Sequence, residues 1–244
     1  ITKTEGIIQL GGRPGKLDVV GDYEVPKSFN QALDITTRMV IAAAMEALKD
    51  AHIPVVPRYQ VTTTGKKLPS GFQIPESIGK DTGVIFASAF PGIENFTEEY
   101  DSIVADRESQ ARVESLQIAL ETAEKAGASK ETLDALSSQL ETAKAASKES
   151  EYTFDRRFLF RILAMGHTQL AQFLGLKGPS THVNAACAST TQALGIASDW
   201  IRLGRCKRVI VVGADNVSSD RLMPWFGSGF LAAGAATIES DVTQ

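Results

Sequence analysis

Apolar residues recur at helical spacing over several stretches of the chain and run unbroken over two short ones, a pattern that predicts an α/β protein. Asp34 stands as an N-cap ahead of Ile35, Met39, Val40, Ala43, Met45 and Leu48, a helix apolar over most of its surface. Residues 84–87 and 209–212 are continuous and rich in β-branched side chains, as in strands covered by helices on both faces. Residues 191–203 carry Leu194, Ile196, Ala197, Trp200, Ile201 and Leu203 and stop at Gly204, a residue suited to a helix exit. Residues 154–174 are densely apolar with a break around Gly166. The first thirty residues and residues 59–75 read as irregular loops containing Gly and Pro. Parallel-strand crossovers are expected to be right-handed.

One segment follows a different pattern. Residues 96–150 are polar and rich in Ala, Glu, Lys and Ser. Val113, Leu116 and Leu120 form one heptad seam, and Leu133, Leu136 and Leu140 another. Ala126-Gly127-Ala128-Ser129 separates them, with Ser129 suited to cap the second run. The expectation is a helical hairpin over 96–151, projecting from an α/β body made of residues 1–95 and 152–244. Arms this short need their seams to pair with each other or with a partner. The segment reads either as a tolerated insertion or as a contact arm.

Charge sharpens that division. Between Asp101 and Glu151 eleven acidic residues face six basic ones, so −5 of the chain's net −4 lies there and +1 elsewhere. No basic footprint for nucleic acid is present. No apolar run reaches the roughly 20 residues of a membrane span, and the expected location is cytoplasmic. Two cysteines make neither a disulfide framework nor a metal-ligand spacing, and no cofactor or metal is expected. Gly65-Lys66-Lys67 lacks the Gly-rich loop and following helix of a phosphate cradle.

Cys187 carries the candidate chemistry. Residues 178–183 read as a turn and a short strand, and the helix of residues 191–203 follows directly, which puts Cys187 at a helix start. Unpaired N–H groups and the positive end of the helix dipole there stabilise a thiolate, the nucleophilic form. Ala185, Ala186, Ala188 and Ser189 leave room for a bulky reagent. Against this stands the ordinary place of a free cysteine, buried as a small apolar residue. The residues alone leave both readings open. Cys206, between helix stop and strand, reads as a loop thiol without function; a Cys187–Cys206 disulfide would need an oxidising compartment. His167 reads as a half-buried structural histidine.

The stretch Gly175-Leu176-Lys177-Gly178-Pro179-Ser180, followed by Ala185-Ala186-Cys187-Ala188-Ser189, resembles the nucleophile region of the β-ketoacyl synthases, condensing enzymes of the thiolase superfamily. Residues 34–53 are similar to that family's early amphipathic helix, and residues 82–88 and 209–215 to strands on either side of the nucleophile. Residues 226–233 resemble its Gly/Phe/Ala-rich loop. The resemblance covers residues 18–100 and 152–244. It implies a layered α/β/α thiolase-like half with a mixed, mostly buried sheet. It also implies an acyl-Cys187 thioester for decarboxylative Claisen condensation with a malonyl thioester in fatty-acid or polyketide synthesis. Acyl carrier protein or acyl-CoA thioesters are the implied partners, in a homodimer or heterodimer.

Departures from the family pattern are visible too. Ala164-Met165 stands where family members carry Asn-Met. The family's two catalytic histidines lie far downstream of its cysteine, whereas His52, His167 and His182 all precede Cys187. The family's first strand and its later Gly-Phe-Gly-Gly segment have no counterpart either. The expectation is an N-terminal half that does not condense without a C-terminal half or companion subunit. A thiolase-type acyltransferase and a non-catalytic scaffold subunit are the alternatives, with an inert fragment as a third.

Overall fold

A computed structural model of the protein describes residues 15–238. The first elements are α1 (Val19–Tyr23), α2 (Lys27–Asn30) and α3 (Ile35–Asp50), then strands β1 (Val56–Val61) and β2 (Lys67–Gln73). Next come α4 (Glu76–Gly79), β3 (Thr82–Ala87), α5 (Ile93–Lys125) and α6 (Lys130–Glu149). The chain continues through α7 (Phe158–Ile162), α8 (Gly166–Leu174), β4 (Ser180–Val183), α9 (Ser189–Arg202), β5 (Arg208–Gly213) and α10 (Met223–Ala232). Two compact units divide it: residues up to Glu94 together with those from Arg157, and Asn95–Arg156.

The first unit is mixed α/β. β3 lies between β4 and β5 and pairs with both in parallel, with Phe86 opposite His182 on one side and Val212 on the other. Every residue of β3 is buried. Alternate side chains enter different cores, as the two-residue period of a strand requires. Val84 and Phe86 pack with Val40, Ile41, Ala44 and Leu48 of α3 and with Leu170, Phe173 and Leu174 of α8. Ile85 and Ala87 pack with Ala193, Ala197 and Trp200 of α9. The strand's unbroken apolar run thus serves two helix-covered faces. Gly178 is required where it stands, because a Cβ there would lie 2.4 Å from the Thr82 carbonyl oxygen. Among the described residues the β4–β3–β5 pairings are parallel and antiparallel pairing occurs in a separate two-stranded sheet, where one mixed sheet was expected.

That second sheet is β1 with β2, in the stretch read from sequence as a loop. Pro57 and Pro69 hide it: neither can donate to a ladder, and proline argues against a strand except at a sheet edge. Two strands alone have only edges, so both prolines are tolerated. Of the first thirty residues, 1–14 lie outside the described ones, and residues 19–30 hold the short helices α1 and α2 instead of loop. Asp34 caps α3, its carboxylate accepting from the Thr36 and Thr37 N–H groups and, 58 positions away, from Gly92 N at 3.2 Å. That last bond fixes the exit from β3. Around the expected break at Gly166, the helical turns stop after Ile162 and Gly166 opens the next helix; a Cβ there would meet the Phe86 ring at 2.4 Å.

In the second unit, α5 and α6 are joined at Gly127 (φ 68°), and Ser129 caps α6 by accepting from Thr132 N at 3.3 Å. Leu140 and Ala143 are buried, and Val113, Leu116, Leu120, Leu133 and Leu136 are half-buried. The helices run back alongside each other, since Ser150 Oγ donates to Ser109 Oγ at 3.0 Å. Tyr152 donates to the Glu99 carboxylate, which pushes the phenol up to about 12.

Candidate active site

Three loops leave the carboxyl ends of parallel strands side by side: residues 88–90 after β3, 184–188 after β4 and 214–216 after β5. Crevices outside the carboxyl ends of parallel strands are where α/β sheets place their ligand-binding residues. Cys187 lies in the loop after β4 and is exposed. It precedes the first residue of α9, Ser189, by two positions, with Ala188 as N-cap. The thiol therefore sits just outside the helix and not within its first turn.

The turn around it is tightly held. Ala186 has φ 49°, a left-handed conformation that costs a residue with a Cβ about 1–3 kcal/mol unless neighbours impose it. Ser189 supplies one restraint: its hydroxyl accepts from Ala185 N at 2.9 Å and donates to Ala186 O at 2.6 Å. Asn184 supplies another. Its Oδ1 accepts from Ala186 N at 3.2 Å, while its Nδ2 donates to Ala89 O at 3.0 Å. Neither role is visible in the sequence, where Ser189 reads only as a small neighbour of the thiol. A hydroxyl or amide within three residues of the cysteine was the available signal.

Asp215, two residues past β5, ties its loop to the one after β3. Its carboxylate accepts from Ser88 Oγ at 2.8 Å, Ala89 N at 3.0 Å and Phe90 N at 2.8 Å. The Phe90 ring meets Phe226 at 4.3 Å between centroids. Residues 226–233, expected as a loop, belong mostly to α10. Pro224 in its first turn supplies helical φ, and the adjacent glycines do not prevent the helix.

The three histidines fall in two places. His52 follows α3 at φ 53°, its Nδ1 3.3 Å from Lys49 O. His182 and His167 come together on the α8 side of β3, where the His182 ring stands edge-on to Phe86 with centroids 5.4 Å apart. Burial holds His182 below its ordinary value, against the Ser88 backbone and the Asp215 carboxylate, which pull it up. Burial also lowers His167, the His182 ring adds to that, and the Ala164 backbone opposes it. Both are neutral at pH 7. His167 Nδ1 and His182 Nε2 are buried without a hydrogen-bond partner in the structure. Cys206 is buried beside Trp200, over whose ring Arg205 lies at 5.3 Å. Among the described residues no cluster of three or more His, Cys, Asp or Glu is placed to hold a metal, and no helix is long and apolar enough to cross a membrane.

Residues 62–233, most of the chain, match the family model of the β-ketoacyl synthase N-terminal domain. Nodulation protein E of Rhizobium leguminosarum bv. trifolii is 22% identical over 213 residues, which cover 87% of this chain and 38% of that protein. The β-ketoacyl-[acyl-carrier-protein] synthase III of Salmonella typhimurium is 39% identical over 79 residues, covering 30% and 24%. A β-ketoacyl-[acyl-carrier-protein] synthase III of Vibrio vulnificus is 43% identical over 51 residues, covering 20% and 16%. The chain spans well under half the length of these curated relatives.

Proposed function

The chain belongs to the β-ketoacyl synthase family, and from that premise we propose that Cys187 is the residue acylated in a condensing reaction of fatty-acid or polyketide synthesis. The supporting observation is an exposed thiol on a strained turn at the carboxyl end of a parallel sheet. In this reading the Cys187 thiolate attacks the carbonyl of an acyl thioester. A new S–C bond forms, the bond to the carrier sulfur breaks, and the departing carrier thiolate takes up a proton equivalent to the one Cys187 released on ionising. Backbone N–H groups, that of Cys187 included, stabilise the oxyanion of the tetrahedral intermediate. The acyl donor is an acyl carrier protein or acyl-CoA thioester.

The decarboxylation and carbon–carbon bond formation that complete a condensation belong, in this proposal, to the whole protein, working as a homodimer or heterodimer. They are not assigned to His167 or His182, which are half-buried and neutral. The fold in this reading is the thiolase-like α/β/α half, with residues 96–151 as a helical hairpin inserted into residues 1–95 and 152–244.

Site-resolved acylation tests the proposal. The protein is incubated with an acyl thioester, digested, and its two cysteine peptides compared by mass spectrometry. Cys187 is expected to load while buried Cys206 stays free, and Cys187→Ala is expected to abolish loading. Equal loading of both cysteines, or none at Cys187, would overturn the assignment.

A further inference from the structure

We propose that Asp215 and Asn184 are positioning residues that hold the Cys187 turn through the loop after β3. The link is a continuous path of hydrogen bonds. Asp215 accepts from Ala89 N at 3.0 Å, the Ala89 carbonyl accepts from Asn184 Nδ2 at 3.0 Å, and Asn184 Oδ1 accepts from Ala186 N at 3.2 Å. Ala186 is the residue bonded to Cys187, and its φ of 49° needs support from its surroundings. One end of the path is therefore a strained peptide beside the thiol, and the other is a carboxylate in the loop after a different strand.

The residue types suit these places. Asn184 must donate at one end and accept at the other, which an amide does in only one orientation and a carboxylate cannot do. Asp215 has only donors around it on that loop, Ser88 Oγ, Ala89 N and Phe90 N. A carboxylate accepts all three with charge-assisted strength, whereas an amide would turn an N–H toward one of them. The loop between is short of freedom at both flanks. Ser88 N donates to Val183 O at 3.1 Å on the β4 side, and Ala214 N to Ala87 O at 3.2 Å on the β5 side. The three strand ends are thus joined by hydrogen bonds, and the Ala89 peptide is where the two side chains meet.

The catalytic meaning of this path rests on the acylation proposed above; its geometry does not. The test compares the full-length protein with Asp215→Asn, Asn184→Ala and the double variant. Two rates are followed at Cys187 by peptide-resolved mass spectrometry, acylation by an acyl thioester and alkylation by iodoacetamide. Each single variant is expected to slow both by about tenfold, the upper end of what one ordinary hydrogen bond contributes. For acylation the maximal rate falls and the half-saturating thioester concentration holds. The double variant is expected to be no slower than the slower single one, because both changes break one path.

Single-variant rates within twofold of wild type, or losses that multiply in the double variant, would overturn the proposal. Should Asp215→Asn open the fold, seen as new reactivity at Cys206, Asn184→Asp decides alone. It keeps the acceptor for Ala186 N but has no donor for Ala89 O, and a wild-type rate there rejects the path. If wild-type protein alkylates but never acylates, the proposed function fails while the alkylation ratios still judge the path.

Discussion

β3 and α5 show two ways of ordering a chain. β3 has six residues and all are buried; α5 has thirty-three and not one is fully buried. β3 owes its place to helices packed on both faces and to two parallel neighbours, all distant in sequence. α5 owes its order to its own backbone hydrogen bonds and to a thin seam shared with α6, in which only Leu140 and Ala143 of α6 are buried. Strands so placed tolerate little change, while a long polar helix with one seam tolerates much. The lesson for function is where rigidity is available. The Cys187 turn draws on β3, β4 and β5 at once, and the helical pair has no such frame within it.

The largest expected effect would come from the first region. Phe86→Ala removes a ring that touches α3, α8 and the His182 ring, and should cost about 3–5 kcal/mol. Both tryptophans lie outside residues 95–156, so fluorescence during urea unfolding reports this unit. Leu140→Ala, the deepest truncation in the helical pair, should cost about 2 kcal/mol, the low end for leucine, because one side of its site is open to collapse. Hydrogen exchange in α5 and α6 would show that loss, with the β3 amides unchanged. Equal costs for the two substitutions would break the comparison.

Ser129→Ala sharpens it further. The hydroxyl caps α6 at Thr132 N, and its removal should cost about 1 kcal/mol. Exchange should then speed up about fivefold in the first turn of α6 and nowhere in the sheet. Spread of the effect to β3 would mean that the two units are energetically one.

The same contrast governs what the sequence makes legible. The Asp34 cap, the Ser129 cap, the buried strands and the heptad seams are local patterns, and each is readable from a dozen residues. β1 and β2 are not, because Pro57 and Pro69 obscure the strand pattern and only the pairing itself rescues it. α10 is misread because Gly227 and Gly229 look like loop residues while Pro224 sets the helix start. The turn into a helix after residue 183 is legible; the bonds that hold it are not. Asp215 and Ser88 are 127 positions apart, and no periodicity joins them. Asn184 gives a local hint only once its two partners are known.

The smallest expected effect concerns His167 and His182, whose rings are half-buried and therefore partly screened by solvent. His182 faces Phe86, the Ser88 backbone and Asp215; His167 faces His182 and the Ala164 backbone. Both lie below the ordinary histidine value of 6.5 in the folded protein, burial being the main cause. As pH falls through 6.5 the unfolded chain therefore takes up protons before the folded one does, and the equilibrium shifts toward unfolding. The stability tied to the neutral pair is present in full above 6.5, declines below it, and stops declining once the folded rings are charged. Urea midpoints read by tryptophan fluorescence should thus fall between about pH 7.5 and 5.5, a window set by histidine. His182→Gln should flatten that slope, since it removes one titrating ring and the repulsion it exerts on His167. Midpoints that rise on acidification would mean that Asp215 outweighs burial at His182. The pair would then be a charged support for the Cys187 turn, and the α/β unit would gain rigidity from electrostatics as well as from packing.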